Sequence, residues 1–101
     1  MEADTDEAYR WLSSAAELGA ARAQFMLGSM IANGRGTSPD AAAAVEWNER
    51  AARQGLGPAQ ELLAAALLAG QGAQRDPGLA ARWLELAADQ GSGRAQERLG
   101  L

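Results

Sequence analysis

Carboxylates offer this chain its widest scope for acid–base chemistry, because its 101 residues include no histidine and no cysteine. Glu46 and Glu49 are spaced one helical turn apart, as a paired general acid and base would be. Such a pair works only in a pocket that shifts a pKa, and both residues fall on the polar arc of their helix, where water screens them. A solvated helix face is the expected reading. Asp4, Asp40 and Asp76 are the residue type that holds cations, but they recur singly at helix starts without a clustered partner, the pattern of N-caps. Gly34-Arg35-Gly36 follows a helix rather than a strand and lacks the Gly-Lys-Ser/Thr of a phosphate loop, so it reads as a helix stop. Ser13 and Ser14 have no histidine to activate them. No catalytic residue, metal site or cofactor is expected, and the chain reads as a non-enzyme.

The elements that carry these residues follow one rule. Trp11, Trp47 and Trp83 stand at intervals of 36 residues. The same step relates the three aspartates, the pairs Ala15-Ala16, Ala51-Ala52 and Ala87-Ala88, and the glycines 19, 55 and 91. It also relates Ala23-Gln24, Ala59-Gln60 and Ala95-Gln96, and the leucines 27, 63 and 99. An uninterrupted repeat of this length describes a solenoid, in which each unit buries its apolar face against its neighbours. Each aspartate opens a first helix, and Pro77 occupies the first helical position after Asp76, where a missing N–H is harmless. A helical wheel gathers Ala8, Tyr9, Trp11, Leu12, Ala15 and Ala16 on one arc and the polar residues opposite. The alanines let a second helix approach, and a tryptophan in each repeat is expected to fill the core between them. The glycine at 19, 55 and 91 ends the first helix. Second helices are predicted over 22–32, 58–69 and 94–101. The result is an all-α, α/α superhelical solenoid of three helix-turn-helix repeats, 4–39, 40–75 and a truncated 76–101, forming a single domain over 1–101.

A formal net charge of −4, from 9 arginines against 13 acidic residues, argues against nucleic acid or an anionic membrane face as partner, since both require a basic patch. The acidic start Met-Glu-Ala-Asp-Thr-Asp-Glu has no apolar core of a signal peptide, and no stretch approaches the roughly 20 apolar residues of a membrane span. A cytoplasmic location is expected for a complete chain, and a periplasmic or exported one for a processed fragment.

The unit Ala-x-x-Trp-x-x-x-Ala-Ala-x-x-Gly-x-x-x-Ala-Gln-x-x-Leu-Gly, present in full from Ala8 to Gly28, resembles the Sel-one-like repeat, a cousin of the tetratricopeptide repeat. The second copy carries Ala64 in place of the last glycine, and the third runs from Ala80 to Gly100. The resemblance implies a right-handed superhelix of helix pairs and a role as a scaffold for protein complexes. It also brings a hydrolase alternative, because some exported, disulfide-stapled relatives are linked to β-lactams; this chain lacks their cysteines. Two departures stand out. Asn48 occupies the slot of Leu12 and Leu84, and Arg98 the slot of Met26 and Leu62. The first predicts looser packing in the middle repeat, the second a true C-terminal end.

Three columns vary from copy to copy. Arg10, Glu46 and Arg82 are expected to form a ladder of ion pairs between repeats. Ser13, Glu49 and Glu85 form the second column, with Glu17, Arg53 and Asp89 as the third. Stacked first helices line the concave surface of helical solenoids, so these last six residues are the candidate partner-binding site. Their acidic bias favours a protein or a basic or polar peptide segment as ligand. The remaining alternative is structural: a fragment of a longer array, or a protomer that associates weakly through its open C-terminal end at Leu99 and Leu101.

Overall fold

The computed structural model describes residues 2–89, with side chains from Thr5 onward. Five helices run in chain order: α1 (Glu2–Glu17), α2 (Ala21–Asn33), α3 (Ala41–Arg53), α4 (Gly57–Ala69) and α5 (Pro77–Asp89). There is no strand among the described residues, and no helix long and apolar enough to cross a membrane. The sixth expected helix, 94–101, lies outside the described residues, as do the readings placed on Gly91, Arg98, Leu99 and Leu101. Each helix packs principally on its neighbours in the chain, the one-dimensional order of a solenoid.

The recurring aspartate joins two helices at once. The Asp40 carboxylate accepts a hydrogen bond from the Ala43 N–H at 3.1 Å and so caps α3. Its own N–H donates to the Ile31 carbonyl at 3.2 Å near the end of α2. Asp76 repeats both bonds, accepting from Leu79 N–H at 3.0 Å and donating to the Leu67 carbonyl at 2.9 Å. The loop leaving each second helix is thereby fixed to the helix that follows. At the first copy the pattern fails: α1 begins at Glu2, which places Asp4 inside the helix rather than at its start.

The repeated Ala-Gln pair has an equally specific role. Gln24 and Gln60 are buried, and each donates its amide to a carbonyl near the end of the preceding first helix, Ala16 and Ala52 respectively, at 3.1 Å. The Gln54 side-chain amide then donates to Gln24 Oε1 at 2.9 Å, linking the first two repeats. The Ala16 and Ala52 carbonyls also accept from the Gly19 and Gly55 N–H groups at 3.0 Å, so each buried glutamine amide meets a helix end that is closed off from water and finds its partner there.

Apolar burial forms two clusters. The first comprises Ala16, Ala23, Leu27, Ile31 and Ala44, with Leu12 and Trp47 packed against it. The second is built from α3, α4 and α5 around Leu63, Leu67 and Leu84, and Trp83 packs against it. Trp47 and Trp83 are half-buried, while Trp11 is 72% exposed. The expectation of one core tryptophan per repeat is therefore corrected at the first copy. Apart from Ala44, the cluster that receives Trp47 comes wholly from the repeat before it, and among the described residues no such cluster packs on Trp11.

The expected ladder is also absent. Arg10, Glu46 and Arg82 make no ion pair; among the described residues the one salt bridge is Glu49–Arg53 at 3.2 Å, within α3. First helices are spaced apart by the second helix between them, so charges at equal offsets do not meet.

Candidate recognition surface

Two hollows on the solenoid are versions of one feature. The first, of about 370 Å³, lies between α1 and α2, with Leu12, Met26, Ser29, Asn33 and Arg35 among its walls. The second, of about 450 Å³, lies among α2, α3 and α4. Its walls include Asn48, Leu62, Ala65, Ala69 and Gln71, which stand 36 residues after those of the first. Ser29 and Asn33 border both. The helix-pair geometry thus forms a groove in each repeat and joins the two through α2.

Asn48 distinguishes the second groove. It is only 8% exposed, and its Oδ1 is buried with no hydrogen-bond partner. Among the described residues its amide nitrogen has no acceptor either. The oxygen lies against Gly28, where a Cβ would come within 2.8 Å of it. In the next repeat the equivalent pair is Leu84 and Ala64, both buried in one cluster. Glycine at 28 thus leaves room for the amide, and a methyl there would collide with it. A buried amide with unmet hydrogen-bonding capacity costs about 1–3 kcal/mol. We expect Asn48→Leu to raise stability by about 1 kcal/mol, read as a higher denaturant midpoint at unchanged m-value. A lower midpoint would show that the amide holds the native core together.

The six residues singled out in the sequence lie outside this groove. Ser13 and Glu49 are half-buried, and Glu17, Arg53, Glu85 and Asp89 are exposed. None lines either hollow. Ser13, Glu49 and Glu85 directly follow the slots of Leu12, Asn48 and Leu84, about 100° round the helix from them. Glu49 is bridged by Arg53, which leaves Glu85 and Asp89 as the acidic pair without an ion-pair partner among the described residues. Ser29 and Asn33 on α2 and Gln71 in the loop after α4 also line the grooves, and none belongs to the first-helix columns. The available signal was a polar residue at Ser29 and Asn33 where the next copy has Ala65 and Ala69. No group of three His, Cys, Asp or Glu residues that could hold a metal occurs among the described residues.

The repeat unit matches the Sel1 repeat model over residues 1–19, 21–56 and 57–92. This chain belongs to the Sel1 repeat family. The model places its unit boundaries before the second helices, so its two complete units pair α2 with α3 and α4 with α5. The chain is similar to a Sel1 repeat protein from Oxalobacter formigenes, with 45% identity and a TM-score of 0.88 over 90% of this chain and 68% of that one. It is similar as well to a protective antigen present in uropathogenic Escherichia coli strains that displays an SLR fold. There the identity is 36% and the TM-score 0.91, over 94% of this chain but only 20% of the antigen. Cysteine rich protein B of Helicobacter pylori matches at 25% identity and a TM-score of 0.83, over 86% of this chain and 65% of its own. Among curated protein sequences none matches significantly. Sel1 repeat proteins typically serve as protein-interaction scaffolds.

Proposed function

We propose that this Sel1 repeat chain is a non-catalytic adaptor that takes up an extended basic segment of another protein. The observation that carries this reading is the unpaired, buried amide of Asn48 in the wall of a groove that recurs from repeat to repeat. An extended backbone offers a donor and an acceptor at every residue, and a side-chain amide is complementary to both. Met26 and Leu62, apolar and exposed along the same grooves, supply contact area for the ligand's aliphatic stems. The columns of Ser13, Glu49 and Glu85 and of Glu17, Arg53 and Asp89, on the first helices outside the groove, carry a net negative charge. They attract cationic side chains and speed encounter at low salt.

Fluorescence anisotropy with labelled, unstructured peptides of matched length tests this directly, using arginine/serine, glutamate/serine and glycine/serine sequences. The arginine peptide should bind, and added salt should weaken it. Glu49→Arg combined with Glu85→Arg should lower its affinity at least about tenfold, or about 1.4 kcal/mol, with helicity unchanged. Asn48→Leu should weaken binding of the same peptide while stabilising the fold. Charge-blind binding, or full affinity after the double reversal at low ionic strength, would remove these columns as the site.

A further inference from the structure

We propose that the second groove is a socket for a tyrosine side chain of the segment that this chain takes up. The proposal rests on the peptide-binding reading and adds the residue that anchors the peptide. The second groove is the interior one, walled by α2, α3 and α4 and formed wholly from described residues. No residue that lines it is charged. Comparison with the first groove shows what its walls have lost. Leu12 and Met30 of the first are replaced by Asn48 and Ala66 in the second, and Ser29 and Asn33 by Ala65 and Ala69. Each exchange removes bulk. What remains is a hollow of about 450 Å³ with walls largely of alanine, as large as a small-molecule pocket. A flat aromatic ring suits such walls, because it buries a large area with only two side-chain torsions to fix.

The amide in the wall selects among the rings. Asn48 is buried, and neither end of its amide has a hydrogen-bond partner among the described residues. Its Oδ1 is sealed against Gly28, so the amide N–H is the group left to meet a ligand. Ser29, Asn33 and Gln71 line the same hollow and bring oxygens that accept. A phenol hydroxyl accepts from the Asn48 N–H and donates its own hydrogen to one of these oxygens. Other rings do less. Phenylalanine leaves the amide unpaired, and an indole N–H donates only, so it would face the Asn48 N–H donor to donor. An arginine or glutamate head group would shed its water here without an opposite charge. The segment's cationic residues therefore answer to the acidic columns outside the groove, and an uncharged tyrosine enters it.

Fluorescence anisotropy with end-labelled arginine/serine peptides carrying tyrosine, phenylalanine or serine at one central position tests the proposal. On the wild-type chain tyrosine should bind at least about tenfold tighter than serine, as an anchoring aromatic does. It should bind about three- to tenfold tighter than phenylalanine, the worth of one hydrogen bond. Asn48→Leu should abolish the margin of tyrosine over phenylalanine. Ala66→Met, which restores the side chain that Met30 provides in the first groove, should bring tyrosine down to serine with circular dichroism unchanged. Glu49→Arg combined with Glu85→Arg should lower all three peptides by the same factor. The same three residues in a glycine/serine frame separate the socket from the role of charge, since the order tyrosine, phenylalanine, serine should persist there. Equal affinity of tyrosine with phenylalanine or with serine overturns the socket, and preference for the arginine frame would still leave the basic-segment reading standing. A tyrosine margin over phenylalanine that survives Asn48→Leu, or over serine that survives Ala66→Met, overturns the socket as well. Failure of every peptide to bind overturns both.

Discussion

Replacing Trp47 by alanine should destabilise the protein by about 3 kcal/mol, while the same change at Trp11 should alter stability by no more than about 0.5 kcal/mol. The two residues hold the same place in the repeat, so propensity and local sequence do not separate them. Packing does. Trp47 is half-buried against a cluster that contains Leu27 and Ile31, and the Arg50 guanidinium sits 4.5 Å from its ring centroid. Truncation opens a void at the junction of two repeats and removes a cation–π contact worth about 0.5–1 kcal/mol at a partly exposed site. At Trp11 the ring is already in water and its removal exposes little. For a domain of this size each kcal/mol moves the melting temperature by roughly 4–8 °C, so a thermal melt followed by circular dichroism separates the outcomes widely. Equal shifts at the two sites would mean that Trp11 is covered in solution. Run across a dilution series, the same melt would show whether that cover is a second copy.

This contrast also marks how far the sequence could be read. The 36-residue step reported what recurs between copies among the described residues: the pairing of first and second helices, the aspartate at 40 and 76 as a cap, and the glycines at 34 and 70 as left-handed helix ends. Those features are local, and a local rule repeats wherever its residues do. What a residue loses by standing in the first copy is not local. Trp11 looks the same as Trp47 in sequence and differs in its packing: Trp47 lies against the Leu27–Ile31 cluster, and no described cluster receives Trp11. Asn48 was legible as a misfit, because a periodic chain makes a single exception visible. Its burial against Gly28 depended on the approach of α3 to α2, which no spacing reports. Arg98 lies outside the described residues, and the counterparts of its slot, Met26 and Leu62, are exposed in repeats that have a neighbour. A charge there is compatible with either an end or a continuing array. The grooves were missed because they are made jointly by first and second helices, whereas column reasoning takes one helix at a time.

Gly72 is the position where substitution by alanine should do most harm for its size, about 3 kcal/mol. Its φ of +78° costs a residue with a Cβ about 1–2 kcal/mol. Space adds to this. A Cβ at Gly72 would run into the carbonyl of Ala41, 2.7 Å from its carbon and 2.8 Å from Val45 Cγ2. Backbone at the start of α3 cannot yield as a side chain can, so the loop after α4 would have to lift from α3 and strain the junction with α5. Gly36 is the control, at the same place one repeat earlier with a φ of +80°. There a Cβ would meet Tyr9 Cβ at 3.0 Å and Cγ at 3.3 Å, a contact that a shift of a few tenths of an ångström relieves, so Gly36→Ala should cost about 1–2 kcal/mol. Asparagine separates the two causes, because it tolerates the left-handed region better than alanine but still carries a Cβ. At position 36 asparagine should recover part of the alanine loss; at position 72 it should recover almost none. Urea denaturation of the four variants measures this. Recovery at Gly72 equal to that at Gly36 would show that backbone conformation alone sets the need for glycine, and that the close approach of this loop to α3 is not what holds the second and third repeats in register.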